Sequence, residues 1–163
     1  IEGKACKELF VVVDCSASMS GHHIQEARIF VASLSRLARL GFVKGHVVLS
    51  AGKPSRWESY KLPLADEVVA KISAFAQAEG LENAIKGNLK LASNADYVMV
   101  YADGQICDSP IDKTGLHRHG VFTWGLYAGD EPDYLENMHL HFDKVIMRQN
   151  AEQLVDAMLL QKK

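Results

Sequence analysis

The sequence predicts an α/β fold: a three-layer sandwich in which a mostly parallel sheet of about six strands, with one antiparallel edge strand, lies between helices. Three observations carry this. Short β-branched apolar runs alternate along the chain with segments of helical periodicity, the order that parallel βαβ units produce. The first run, Leu9 to Val13, has no polar break and reads as a strand buried on both faces. The 163 residues are the length of one ordinary domain with a sizeable core, and no repeat, low-complexity tract or linker divides them.

Taken in order, residues 8–14 form the first strand. A helix over 21–40 follows, because Ile24, Ala27, Phe30, Val31, Leu34, Leu37 and Ala38 recur at three and four and make one apolar stripe. Gly41 is placed to end it. Residues 44–51 read as a second strand, and the turn Gly52-Lys53-Pro54-Ser55 returns the chain into an edge strand over 56–62. Helical spacing recurs over 64–76 (Val68, Val69, Ile72, Phe75) and over 81–92 (Leu81, Ala84, Ile85, Leu89, Ala92), split by Gln77 to Gly80. Tyr97 to Ala102 is another buried strand, ending in Asp103-Gly104, and a long polar loop runs from there to Leu116. Strands are expected over 120–127 and 142–147, a helical turn over 134–138 and a closing helix over 151–160, with Asn150 as its N-cap.

Composition narrows the function. Hydrophobic residues are 48% and charged residues 23% of the chain, as in a globular domain. A net charge of −2 offers no basic face for nucleic acid. No apolar run approaches the ~20 residues of a membrane span. The chain opens on Ile and carries nothing like a signal peptide, so residues 1–163 are expected to be a single domain from a longer protein. Three cysteines (Cys6, Cys15, Cys107) with no C-x-x-C pair argue against a disulfide scaffold and for a reducing cytoplasm. Cys15 and Cys107 read as small buried thiols.

The chemistry concentrates in Phe10-Val-Val-Val-Asp14-Cys-Ser16-Ala-Ser18-Met-Ser-Gly21. An acid at the C-terminal end of a buried strand stands where the ligand crevice of an open α/β sheet lies. Asp14, Ser16 and Ser18 can turn three oxygen side chains toward one point. A carboxylate with hydroxyls suits a hard, partly hydrated cation, Mg2+ or Mn2+. The alternative is that the two serines cap the following helix. Asp103 ends a second buried strand; two acids at neighbouring strand ends repel unless a cation or hydrogen bonds hold them.

The pattern Asp14-x-Ser16-x-Ser18, after a hydrophobic strand and before a helix, resembles the metal-ion-dependent adhesion site of the von Willebrand factor A (vWA) family, and the order of elements along the chain is similar to that Rossmann-like fold. The resemblance implies that Ser16 and Ser18 bind the metal directly, Asp14 through water, and that Asp103 belongs to the same site. It also exposes a departure. Where the family has a Thr at the start of a helix, alignment of Leu81 and Glu82 puts Glu79, and no Thr lies between Asp14 and Asp103. Three outcomes are open: Glu79 binds the metal, Glu79 points away and water takes its place, or the site is empty.

Function follows as an expectation: a cation-dependent adaptor that recognises an Asp or Glu of a protein partner, with no enzymatic role. By resemblance, the setting is a MoxR-type AAA+ ATPase system in the cytoplasm rather than extracellular adhesion. His22, His23 and Lys53 are candidates for the partner-binding rim. The alternatives are a metal-dependent hydrolase, or a structural vWA module with an empty metal site. No G-x-S-x-G, Walker or G-x-G-x-x-G motif supports catalysis. The i, i+2 pairs His117/His119 and His139/His141 would face one way only if extended, and nothing supplies further zinc ligands.

Overall fold

The computed structural model describes residues 6–50, 57–74, 80–106, 112–129 and 132–147. Six strands form one sheet: β1 (Lys7–Val13), β2 (Val43–Leu49), β3 (Glu58–Lys61), β4 (Tyr97–Ala102), β5 (Thr123–Tyr127) and β6 (Lys144–Met147). Their spatial order is β3-β2-β1-β4-β5-β6. All neighbours are parallel except β3, which runs antiparallel to β2 at the edge. The helices are α1 (His22–Arg39), α2 (Asp66–Ala70), α3 (Leu81–Gly87), α4 (Leu89–Ser93), α5 (Thr114–Arg118) and α6 (Pro132–His141). The expected α/β class, the parallel sheet and the antiparallel edge strand are all present.

Alternation along β1 divides the core in two. Leu9, Val11 and Val13 face one cluster with Ile24, Ala27, Phe30, Val31 and Leu34 of α1. Phe10 and Val12 face the other, with Leu81, Ala84 and Ile85 of α3, Leu116 of α5 and Met138 of α6. Both faces of β1 are therefore dry, as its unbroken apolar run requires. The α1 stripe is the one the periodicity predicts, and Phe30 stacks on Tyr101 of β4 with ring centroids 5.5 Å apart. Gly41, at φ 83°, closes α1: its N–H reaches Ala38 O and the Phe42 N–H reaches Leu37 O, a Schellman pair.

Several helical expectations need correction. Among the described residues of the segment 64–76, the helix is only the five-residue α2. After Lys71 the chain leaves the helix so that Ile72 is buried and its carbonyl accepts from Arg28 Nε at 2.6 Å; tertiary packing overrides the local period there. The helix expected over 81–92 is two, broken at Asn88 (φ −123°), whose side-chain amide donates back to Ala84 O at 2.8 Å. The long loop up to Leu116 contains α5, and the helical turn expected over 134–138 is the ten-residue α6. The strand starts at 120 and 142 are trimmed to Thr123 and Lys144. The closing helix expected over 151–160 lies outside the described residues.

The N-terminal end of the sheet is tied by Asp143, the residue before β6. Its carboxylate accepts from Thr123 N at 2.8 Å, Thr123 Oγ1 at 3.1 Å and His117 Nε2 at 2.9 Å, while the Asp143 N–H donates to Thr123 Oγ1 at 3.0 Å. Lys113 Nζ stands 3.9 Å away. One side chain thus joins α5, β5 and β6. Burial alone would push the Asp143 carboxyl up; the hydrogen bonds from His117 and Thr123 outweigh it and hold the group below the usual 3.8.

A group held low in the folded state stabilises the fold above its unfolded pKa, and that contribution fades as pH falls through the folded value. Asp143→Ala is therefore expected to cost about 2 kcal/mol near neutral pH. The difference from wild type should shrink as the pH drops below 3.8. Urea unfolding of both proteins across this range measures it; a pH-independent difference would contradict the assignment.

Candidate metal centre

The site is built by the sheet's change of direction. From β1 the chain moves outward to β2 and β3, then returns across β1 to begin β4 on its other side. The strand order reverses between β1 and β4, and that is where a crevice opens at the C-terminal ends of parallel strands. Both candidate acids stand there. Val13 is in register with Tyr101; Asp14 follows Val13 directly, and Asp103 follows Ala102. Adjacent strands are about 4.8 Å apart, so the two carboxylates issue from neighbouring backbones. The ladder continues past the strand ends: the Asp14 N–H donates to Tyr101 O at 2.9 Å, and the Ala128 N–H to Ala102 O at 2.8 Å.

Asp14 and Asp103 are 0% and 2% exposed, and Ser16 is 3% exposed. Asp14 Oδ1 accepts the Ser16 N–H at 2.9 Å, which folds the loop back over the carboxylate. Asp103 does the same with the Gln105 N–H, at 3.0 Å to Oδ1. Its other oxygen, Oδ2, is buried with no hydrogen-bond partner among the described residues. An unmet buried acceptor costs roughly 1–3 kcal/mol, more when charged.

The serines do not cap. Ser16 precedes a single 3-10 turn, Ala17–Met19, and makes no side-chain capping bond; the N-cap of α1 is Gly21, which has no side chain to offer. Instead the Ser16 and Ser18 hydroxyls lie 3.1 Å from each other, with Met19 buried beneath them. The loop therefore presents two hydroxyls and one carboxylate, and β4 adds a second carboxylate. The donor set is oxygen only. Among the described residues no three His, Cys, Asp or Glu side chains gather as a metal-binding group.

The remaining candidates separate. His22 and His23 open α1 after this loop, with ring centroids 4.1 Å apart; His22 is exposed and His23 half-buried, its Nδ1 buried without a hydrogen-bond partner among the described residues. Glu79 and Lys53 lie outside the described residues. The paired histidines elsewhere do not converge. His117 sits on α5 bound to Asp143, with His119 beyond the helix end. His139 and His141 both lie on helical α6, where His141 Nδ1 donates to Asn137 O at 3.0 Å. The extended geometry that would align each pair is absent.

Two contacts were not legible in the sequence. Asn137 of α6 donates from Nδ2 to Gly104 O at 2.7 Å and Ile106 O at 3.1 Å, seizing the loop that follows Asp103. Ser50, after β2, donates from Oγ to Val13 O at 3.1 Å, just before Asp14. Both act across more than thirty residues of chain. Only the glycine after Asp103 hints at the first, since a close approach there requires the side chain to be missing.

No family model matches the chain, and no curated protein matches it in sequence. Solved structures do match in shape. An aerotolerance-related membrane protein from Bacteroides fragilis superposes with a TM-score of 0.62 at 14% identity, covering 93% of this chain and 96% of that one. The pilus adhesin SpaC from Lactobacillus rhamnosus GG gives 0.64 at 12%, covering 97% of this chain but 30% of the adhesin. Proximal thread matrix protein 1 from the mussel byssus gives 0.57 at 13%, covering 96% of this chain and 48% of that protein. At these identities the likeness shows the fold alone: a Rossmann-like, vWA-type α/β domain. No helix among the described residues is long and apolar enough to cross a membrane.

Cys15, between the two site residues Asp14 and Ser16, is buried and donates its S–H to Val13 O at 3.6 Å. Burial, then the charges of Asp14 and Glu58, push its thiol up to about 12. It therefore stays protonated and unreactive throughout the physiological range. With Cys6 and Cys107 replaced by Ser, the folded protein is expected to resist a thiol–disulfide reagent at about pH 8 and to react fully in denaturant. Rapid labelling of the native protein would overturn this.

Proposed function

We propose that this chain is a divalent-cation-dependent protein-binding domain. In this reading Asp14, Ser16, Ser18 and Asp103 supply oxygen ligands to Mg2+ or Mn2+, and a partner protein offers an Asp or Glu to a position they leave open. The observation that carries it is Asp103 Oδ2: a buried carboxylate oxygen without a hydrogen bond among the described residues, at the end of the strand paired with the one that leads into Asp14, Ser16 and Ser18. A cation would satisfy that oxygen and cancel the repulsion between the acids. The all-oxygen donor set favours a hard ion over zinc. When bound, the ion supplies an electrophilic point that a foreign carboxylate can reach. The chain's own residues hold it through two strand-end loops on a rigid sheet.

His22 and His23, beside the serine loop, and Lys53 are proposed as the partner-facing rim. The proposed setting is an adaptor in a MoxR-type AAA+ ATPase system, in the cytoplasm, acting by binding rather than catalysis. Its support is the resemblance of the Asp14-x-Ser16-x-Ser18 loop, together with an exposed free thiol at Cys6 that a reducing compartment preserves. The fold likeness to an aerotolerance-related protein and to an adhesin agrees with a binding module. An internal acid at Glu79 would lower the charge of a bound ion and weaken its hold on a foreign carboxylate.

Calorimetric titration with Mg2+ and Mn2+ tests the reading. Wild type is expected to bind, and to gain about 2.7 kcal/mol of stability at a hundredfold excess over Kd. Asp103→Asn should abolish binding yet raise the metal-free thermal midpoint, because it removes one of two buried like charges. A wild type that binds neither ion would leave the structural, empty-site alternative. Glu79→Ala sorts the open ligand: weaker binding makes Glu79 a ligand, and equal binding places it outside the coordination shell.

A further inference from the structure

We propose that Asn137 is a positioning residue for Asp103, so that helix α6 sets the affinity of the metal site. This rests on the reading of Asp103 as a metal ligand. The chain of contacts is short. Asp103 Oδ1 is pinned by the Gln105 N–H at 3.0 Å, which fixes the rotation of the carboxylate and hence where Oδ2 points. Gln105 is itself bracketed by two carbonyls, Gly104 O and Ile106 O. Asn137 Nδ2 donates to both, at 2.7 and 3.1 Å. The Ile106 N–H closes the same turn on Gly104 O at 2.8 Å. One amide group thus spends both of its N–H bonds on the turn that orients the acid.

The turn and the helix are also in direct van der Waals contact. Gly104 has φ 84°, and a Cβ there would meet Tyr134 O at 2.6 Å and Tyr134 Cβ at 2.8 Å. Tyr134, Asn137, Met138 and His141 follow the i, i+3, i+4, i+7 spacing of one helix face. That face is seated: Met138 and Phe142 press on Gly125 of β5, where a Cβ would meet them at 2.9 and 2.5 Å. The next residue, Asp143, is tied to Thr123 and His117. Helix α6 is therefore a fixed arm running from the Asp143 tie to the Asp103 turn. Asn is a poor helix former, and helix propensity gives no reason for it in the second half of α6. Only a group with two N–H bonds on one atom can hold both carbonyls.

The test titrates Mn2+ and Mg2+ into the wild-type chain, Asn137→Ala, Asn137→Asp and Asn137→Gln, with metal-free thermal midpoints measured in parallel. Supporting partners of metal ligands typically contribute 10- to 100-fold in affinity. Asn137→Ala and Asn137→Asp are expected to weaken binding on that scale while the metal-free midpoint moves by a few degrees at most. Asn137→Asp keeps the shape but removes the donors and adds a charge facing two carbonyls, so its loss is read against the uncharged Asn137→Ala. Asn137→Gln keeps both N–H bonds and should recover part of the lost affinity. Binding by Asn137→Ala and Asn137→Asp within about twofold of wild type would overturn the role of Asn137 and leave the metal site standing. So would an Asn137→Gln variant no better than Asn137→Ala. A wild type that binds neither ion would overturn the reading of the site itself, a distinct result.

Discussion

The structure depends on the side-by-side pairing of β1 and β4. Neither strand carries a polar residue within its buried run from Leu9 to Val13 or from Val98 to Ala102, apart from the Tyr101 hydroxyl. Apolar side chains on both faces force both strands to the middle of the sheet. The helical crossovers then leave β2 and β3 on one side and β5 and β6 on the other. The acids that terminate the two central strands are brought together by this burial, not by any attraction between them. Burial, the strongest term in folding, thus sets two acids at the ends of paired strands, where like charges would repel unless a cation or hydrogen bonds held them.

That conflict explains the local architecture. Each acid has one oxygen tied to the backbone N–H two residues on, Ser16 for Asp14 and Gln105 for Asp103. Two equivalent turns on adjacent strands therefore present their acids in the same way. Cys15, next to Asp14 in the chain, has its thiolate suppressed by burial first and then by the charges of Asp14 and Glu58.

Most of the fold was legible because it rests on patterns with a short range in sequence. The α1 stripe and the runs of β1 and β4 need only their own residues to declare themselves. The edge strand β3 was legible from the weak alternation of Trp57, Tyr60 and Leu62, though only its 58–61 core pairs with β2. What was not legible depends on partners far along the chain. α2 stops early because Ile72 is claimed by the core and by Arg28, 44 residues away. The helix over 81–92 breaks where the Trp57 ring lies against Gly87, with 2.9 Å to the position a Cβ would take. α5 is short and polar, and its hold on the sheet runs through His117 and Asp143. The site divides the same way. Asp14, Ser16, Ser18 and Asp103 follow from strand ends, whereas the failure of the serines to cap and the grip of Asn137 are tertiary facts.

The placement of α6 gives this division a functional side. A metal site made only of strand-end loops would inherit its geometry from the sheet and would be rigid. Here one of the two acids is held by a helix that touches the sheet through Met138 and Phe142 and is tied at its far end by Asp143. Its outer surface carries exposed Leu140, and exposed Tyr134 stands at the edge of the seated face. Tyr134 is also the residue whose backbone abuts Gly104. The turn is held by four hydrogen bonds, two of them from Asn137. The acid at the end of β4 is therefore held by the sheet on one side and by α6 on the other.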